Sequence, residues 1–156
     1  GTIGFYGRTK NGRCIRYANR SLFEAHPNLD KYKVIVPESN GSGELGEVLS
    51  SPTIGKPFVG VTQTFLTIGA FDTCEEAEAC LKYVKTKFAR TMLGILKVTQ
   101  HNPKDTWRCV PLQDFTAGSD IDWAQSVAEI DRQLYAKYHL DENEISFIEE
   151  MVRPMR

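Results

Sequence analysis

No run in this chain of 156 residues approaches the ~20 consecutive apolar residues needed to cross a bilayer. The first residues also lack the charged-then-apolar order of a secretion signal. Cysteine is sparse. Cys14, Cys74, Cys80 and Cys109 form neither a CxxC pair nor a zinc-finger spacing, which argues against a disulfide scaffold or a structural zinc. Three of them fall in apolar-periodic segments, and we read the four as reduced, buried thiols of a cytoplasmic protein. Gly-x-Ser-x-Gly, a Walker loop and HExxH are all missing, which removes the local signatures of serine hydrolases, P-loop NTPases and zinc proteases. His26, His101 and His139 are isolated from one another. The chain opens directly in a strand pattern without methionine, so it is expected to be a piece of a longer polypeptide.

The absence that matters most is of negative charge in two stretches. Residues 1–23 hold Arg8, Lys10, Arg13, Arg16 and Arg20 and no carboxylate. Between Lys82 and Lys104 there is again no carboxylate, while Lys82, Lys85, Lys87, Arg90 and Lys97 are all cationic. The balancing acid is elsewhere: residues 114–150 hold ten carboxylates against Arg132 and Lys137, a local net charge of −8 in a chain whose formal net charge is −1. Such polarisation points to a polyanion meeting the first and middle segments, with the acidic end facing away.

With 41% hydrophobic and 25% charged residues, the chain has an ordinary globular composition and enough length for one buried core. Thr2 to Tyr6 and Arg13 to Tyr17 read as strands joined across Thr9-Lys10-Asn11-Gly12, since Asn-Gly supplies the positive φ of a tight turn. The arginines of this hairpin suit phosphate contact and a charge-protected edge about equally. Tyr32 to Val36 reads as a buried strand ahead of Pro37. Pro57 to Phe71 reads as one or two strands interrupted at Thr62-Gln63.

Thr73-x-x-Glu76 is a capping box, with Asp72 as a rival cap, and it opens a long helix that Gly94 weakens or ends. At 100° per residue, Cys80, Leu81, Val84, Phe88, Met92 and Ile95 fall in one arc; Lys82, Thr86, Lys87 and Arg90 lie opposite, as a solvent-facing basic side. Thr99-Gln100-His101-Asn102 follows at a turn marked by Asn102-Pro103, and Trp107 to Val110 reads as a returning strand. Ser126-x-x-Glu129 and Asp141-x-x-Glu144 open two final helices, a helical hairpin. Glu142, Glu144, Glu149 and Glu150 on the second would be repelled by phosphate, which favours packing or a protein partner over a DNA-reading role. The expected class is α+β: a mixed or antiparallel sheet, one long packed helix and a C-terminal helical hairpin. Residues 1–115 would form the recognition domain, with 116–156 packed on it.

Two weaker patterns are present. Gly41-Ser42-Gly43-Glu44-Leu45-Gly46 fits GxGxxG, but Ser50-Ser51-Pro52 leaves no room for the helix that must meet a pyrophosphate, and Glu44 brings the wrong charge. Asp114, Asp120 and Asp122 suit a divalent metal as in nucleases, yet Ala117-Gly118-Ser119-Asp120 just ahead of a helix makes turns and caps the simpler role.

Five segments in order carry a resemblance: Lys85-Thr86-Lys87-Phe88 with Arg90, Lys97 with Thr99-Gln100-His101, Val110 to Phe115, Asp120 to Trp123, and Gln133 to Glu149. Together they resemble the C-terminal end of adenine-specific DNA methyltransferases of restriction-modification systems, including type IIG enzymes, where a methylase domain precedes a TaqI-like target-recognition domain. The likeness is detailed over about the last 75 residues and loose before them.

The resemblance implies sequence-specific recognition of duplex DNA for an upstream methyltransferase domain of the same chain. That domain would use S-adenosylmethionine to methylate an adenine flipped from the stack. The family's catalytic Asn/Asp-Pro-Pro-aromatic tetrapeptide is missing, because Asn102-Pro103 continues as Lys104-Asp105. The chain is therefore expected to choose the site without catalysis, cofactor or metal of its own, in the cytoplasm and away from membranes. Lys82, Lys85, Lys87, Arg90, Lys97 and Arg13 would contact phosphates, and Gln100, His101 and Asn102 would read base edges. A metal-dependent nuclease and a protein-interaction module are the alternatives.

Overall fold

A computed structural model describes residues 1–38, 45, 49, 51–96 and 104–155. Within them the chain runs β1 (Thr2–Thr9), β2 (Gly12–Asn19), β3 (Tyr32–Pro37), β4 (Thr53–Gly55), β5 (Val59–Val61), β6 (Phe65–Phe71), α1 (Cys74–Lys85), α2 (Lys87–Leu96), α3 (Val127–Lys137) and α4 (Glu142–Met151). The α+β class expected from the pattern is what is found. One sheet is mixed, ordered β2-β1-β5 with β1 and β5 parallel, and the other is antiparallel, ordered β4-β3-β6.

The β1–β2 hairpin keeps the register Thr9↔Gly12, leaving Lys10-Asn11 as the turn. The positive φ of this turn falls on Gly12 at 115°, a conformation glycine adopts without steric cost. β3 is buried along nearly its whole length at the centre of the second sheet. Beside it, β6 slips register between Tyr32 and Val34, near Gly69 at φ 83°.

The long helix of the sequence reading is two helices. Thr86, at ψ 150°, leaves the α region and ends α1, and α2 starts anew at Lys87. Two side chains satisfy the orphan donors of the new first turn. Thr86 Oγ1 accepts from Ala89 N at 3.0 Å, and Asp131 of α3 accepts from Lys87 N at 3.0 Å and Phe88 N at 2.9 Å. The break resets the helical phase, so Thr86 and Arg90, expected on the solvent side, are 0% and 3% exposed. Ile95, expected to face the core, is 60% exposed.

The expected strand at Trp107 to Val110 is also corrected. Lys104–Cys109 forms 3₁₀ turns, with Val110 N donating to Trp107 O, because three apolar side chains in four residues are too short a run to choose between the periods. The capping boxes at Thr73 and Asp141 and the Ser126 cap form as expected, while Asp72 pairs with Lys31 instead of capping.

The pair α1–α2 is the middle layer. One side packs Cys80, Val84 and Leu93 on Val34 and Val36 of β3. The other packs Tyr83, Phe88 and Ala89 on Ile130, Leu134 and Tyr135 of α3, Ile148 of α4 and Trp123. Covering both sides is why so few positions on α1–α2 reach water.

Replacing Asp131 by Ala leaves two buried N–H groups without acceptors. It should cost about 2–4 kcal/mol in urea denaturation, with the α1 cap at Thr73 unaffected. A pH effect comes from Lys33, 1% exposed in β3, whose Nζ donates to Asn28 O at 2.7 Å and Leu29 O at 3.2 Å. Burial pulls its pKa down to about 8, below its value in the unfolded chain, so stability contributed by neutral Lys33 grows as pH rises through 8 towards 10. Cys80, pushed up to about 12 by burial, and Tyr83, also raised by burial, act in the opposite sense. The wild-type minus Lys33→Met difference in unfolding free energy, followed from pH 7 to 10, should therefore rise; a flat difference would contradict the assignment.

Candidate nucleic-acid interface

The cations expected to contact phosphate along the helix are mostly engaged inside the protein. Lys82 Nζ donates to Trp123 O at 2.8 Å and Gln125 O at 3.0 Å, tying α1 to the entry of α3. Lys87 Nζ is 2.6 Å from Glu149 Oε2 with its side chain 15% exposed, so it joins α2 to α4. Tyr135 Oη donates to the other oxygen of Glu149 at 2.8 Å. Burial pushes the Glu149 carboxyl up, but the bonds from Lys87 and Tyr135 outweigh it and hold its pKa below the usual value.

Arg90 corrects the expectation most directly. At 3% exposure it lies inside, with Nε donating to Thr86 O at 3.2 Å and Lys85 O at 3.3 Å and Nη2 donating to Arg153 O. Desolvation lowers its pKa to about 10, still far above neutrality, so it is a buried cation that fastens the end of α1 to the C-terminal segment. Asp131 beside it is raised by burial, while the N–H donors of Phe88 and Lys87 and the charge of Arg90 oppose that rise. Lys85 is half-buried and engaged. Lys97, Gln100, His101 and Asn102 lie outside the described residues, as does GxGxxG apart from Leu45.

The other acid-free stretch is different. Arg8, Lys10, Arg13, Arg16 and Arg20 of the β1–β2 hairpin and its exit are all exposed. Arg8 and Arg13 are direct cross-strand partners, so two guanidinium groups leave the same face side by side. Arg13 is pre-oriented: Nη1 donates to Ser51 O at 2.6 Å, and its guanidinium stands 5.4 Å from the Phe65 ring centroid. Tyr6, one pair along on that face, lies 4.9 Å from the same ring. Further along, Ile15 and Tyr17 are 44% and 73% exposed. The structure thus brings together the hairpin arginines and exposed apolar side chains, a combination suited to a polyanion with flat apolar bases. Tyr17 escaped the sequence reading because alternation hides a strand exposed on both faces.

The three aspartates do not converge. Asp114 accepts from Thr116 N at 2.8 Å and Thr116 Oγ1 at 2.7 Å, and these bonds hold its pKa below the usual value. Asp122 accepts from Gln125 Nε2 at 2.9 Å and Ala124 N at 3.0 Å, with the same effect, and Asp120 pairs with Lys137 at 2.8 Å. Among the described residues no three His, Cys, Asp or Glu side chains gather as metal ligands. Of the cysteines only Cys80 is buried; Cys14, Cys74 and Cys109 are half-buried, a correction to the sequence reading.

No family of known proteins, no curated protein and no solved structure matches the chain.

Because Arg90 and Lys87 serve the fold, Arg90→Met should lower stability by about 2 kcal/mol and Lys87→Ala by about 0.5–1 kcal/mol. Urea denaturation reads both losses; midpoints equal to that of the wild type would contradict the structural role of these side chains.

Proposed function

We propose that this chain is the duplex-DNA recognition module of a restriction-modification adenine-specific DNA methyltransferase, with S-adenosylmethionine chemistry carried by an upstream domain in the cytoplasm. The observation that carries the reading is the exposed β1–β2 hairpin, basic and free of carboxylates, with Arg8 and Arg13 side by side. The five segments resembling such enzymes between Lys82 and Val152 support the same reading from the other half of the chain. Phosphate contact is assigned to the hairpin. Base readout stays with the amides and imidazole of Gln100, His101 and Asn102, whose donor and acceptor sets match adenine and guanine edges.

A protein partner is favoured at the opposite end. On α4, Phe147 and Met151 are 51% and 53% exposed among Glu142, Glu144 and Glu150. An acidic, partly apolar helix face suits docking on the upstream domain and repels DNA.

Arg8→Ala and Arg16→Ala should each weaken binding to any duplex and reduce the slope of log K against log salt by about 0.9. Gln100→Ala should instead relax preference at one base pair, about 1–3 kcal/mol in sequences selected from a random pool. Absence of duplex binding at low salt by the wild-type chain would end the proposal.

A further inference from the structure

Between β4 and β5 the chain reverses through Lys56-Pro57-Phe58-Val59, closed by Val59 N donating to Lys56 O at 3.2 Å. Proline stands second and Phe58 third, with φ 62°, the arrangement of a type II turn. The third position of such a turn normally takes glycine or asparagine, since a side chain there crowds its own backbone, and a bulky one is an outlier. Burial does not compensate this phenyl ring, which is 46% exposed. The backbone beneath it is held from both sides: Phe58 N donates to Leu29 O at 2.7 Å, and its carbonyl accepts from Gly4 N at 2.8 Å. A strained residue on a fixed mount, with its apolar group turned outward, calls for a use outside the fold.

The surroundings specify the partner's chemistry. The Arg20 guanidinium lies 6.0 Å from the Phe58 ring centroid, and Lys56 is exposed in the same turn. Next to Phe58, Val59 pairs with Gly4 of β1, and Gly4 pairs in turn with Tyr17 of β2. A Cβ on Gly4 would stand 3.5 Å from both Tyr17 Cε1 and Val59 Cγ2, so the bare glycine lets the Tyr17 ring lean over β1 towards Val59. One exposed aromatic ring, Tyr17, thus stands on this sheet among cations of the acid-free hairpin, and a second, Phe58, stands on the turn that leads into its β5 edge beside Arg20. A partner that is anionic outside and apolar within matches this surface, and stacked bases flanked by phosphates have that character.

We propose that Phe58 is a wedge that enters between adjacent base pairs of the duplex gripped by the hairpin, unstacking and kinking it while Arg20 and Lys56 hold the flanking phosphates. This rests on the duplex-DNA reading and adds deformation of the duplex to it. The cost of a phenylalanine at positive φ is then retained for the insertion it permits.

The test compares the wild-type chain with Phe58→Gly, which relieves the turn, and Phe58→Leu, which keeps an apolar wedge. Each is bound to closed circular plasmid at equal occupancy by gel shift, and the plasmid is relaxed with topoisomerase, so that insertion appears as a shift in linking number. Wild type and Phe58→Leu should shift the topoisomer distribution. Phe58→Gly should bind within about threefold of wild type, because phosphate contacts position without the wedge, yet leave the distribution unshifted. Its urea midpoint should be at or above that of wild type, which excludes misfolding. An equal shift by Phe58→Gly would overturn the wedge and leave the DNA reading standing; failure of the wild-type chain to bind the plasmid at low salt would overturn both.

Discussion

The carboxylate of Asp131 inserted under the first turn of α2 is the contact on which the architecture turns. A helix ending at Thr86 and restarting one residue later would expose bare N–H groups inside the protein, and Asp131 satisfies two of them from the neighbouring helix. The same contact docks α3 across the joint and brings Arg90 beside it. Once α3 and α4 cover that side, α1–α2 is packed on two sides, and the cations along it become internal fasteners. Lys82 closes the turn ahead of α3, Lys87 reaches α4, and Arg90 binds the chain after α4.

That burial redistributes the electrostatics. Cations between Lys82 and Arg90 are largely used against carbonyls and Glu149, while the hairpin cations are exposed, with Arg13 also bonded to Ser51 O. Two acid-free stretches that look alike in sequence thus differ in how far the fold covers them. Net charge is blind to this difference; the covering of each segment decides it.

Local chemistry was legible in the sequence and long-range packing was not. The capping boxes at Thr73 and Asp141 and the Ser126 cap depend on neighbours three residues away, the β1–β2 hairpin on its Asn-Gly turn and β3 on a continuous apolar run ahead of Pro37, so these could be read. The break at Thr86 has a local part, the Thr86 hydroxyl under Ala89 N, but depends also on Asp131, 43 and 44 residues beyond the two amides it caps. β4, three residues after Pro52, was too short to read at all. At the interface, the charge run of residues 1–23 was visible, but the exposure of Tyr17 and the turn geometry of Phe58 required the sheet.

The β2-β1-β5 sheet supplies no side chain to either of the two buried clusters built around α1–α2. It is fastened by Ile3, which is 2% exposed, and by specific contacts, Arg13 to Ser51, Tyr6 against Phe65, and the Phe58 amide just ahead of β5 to Leu29. The Leu29 carbonyl and the Gly4 amide that clamp the Phe58 peptide therefore also lock the β5 edge of this sheet to the loop ahead of β3.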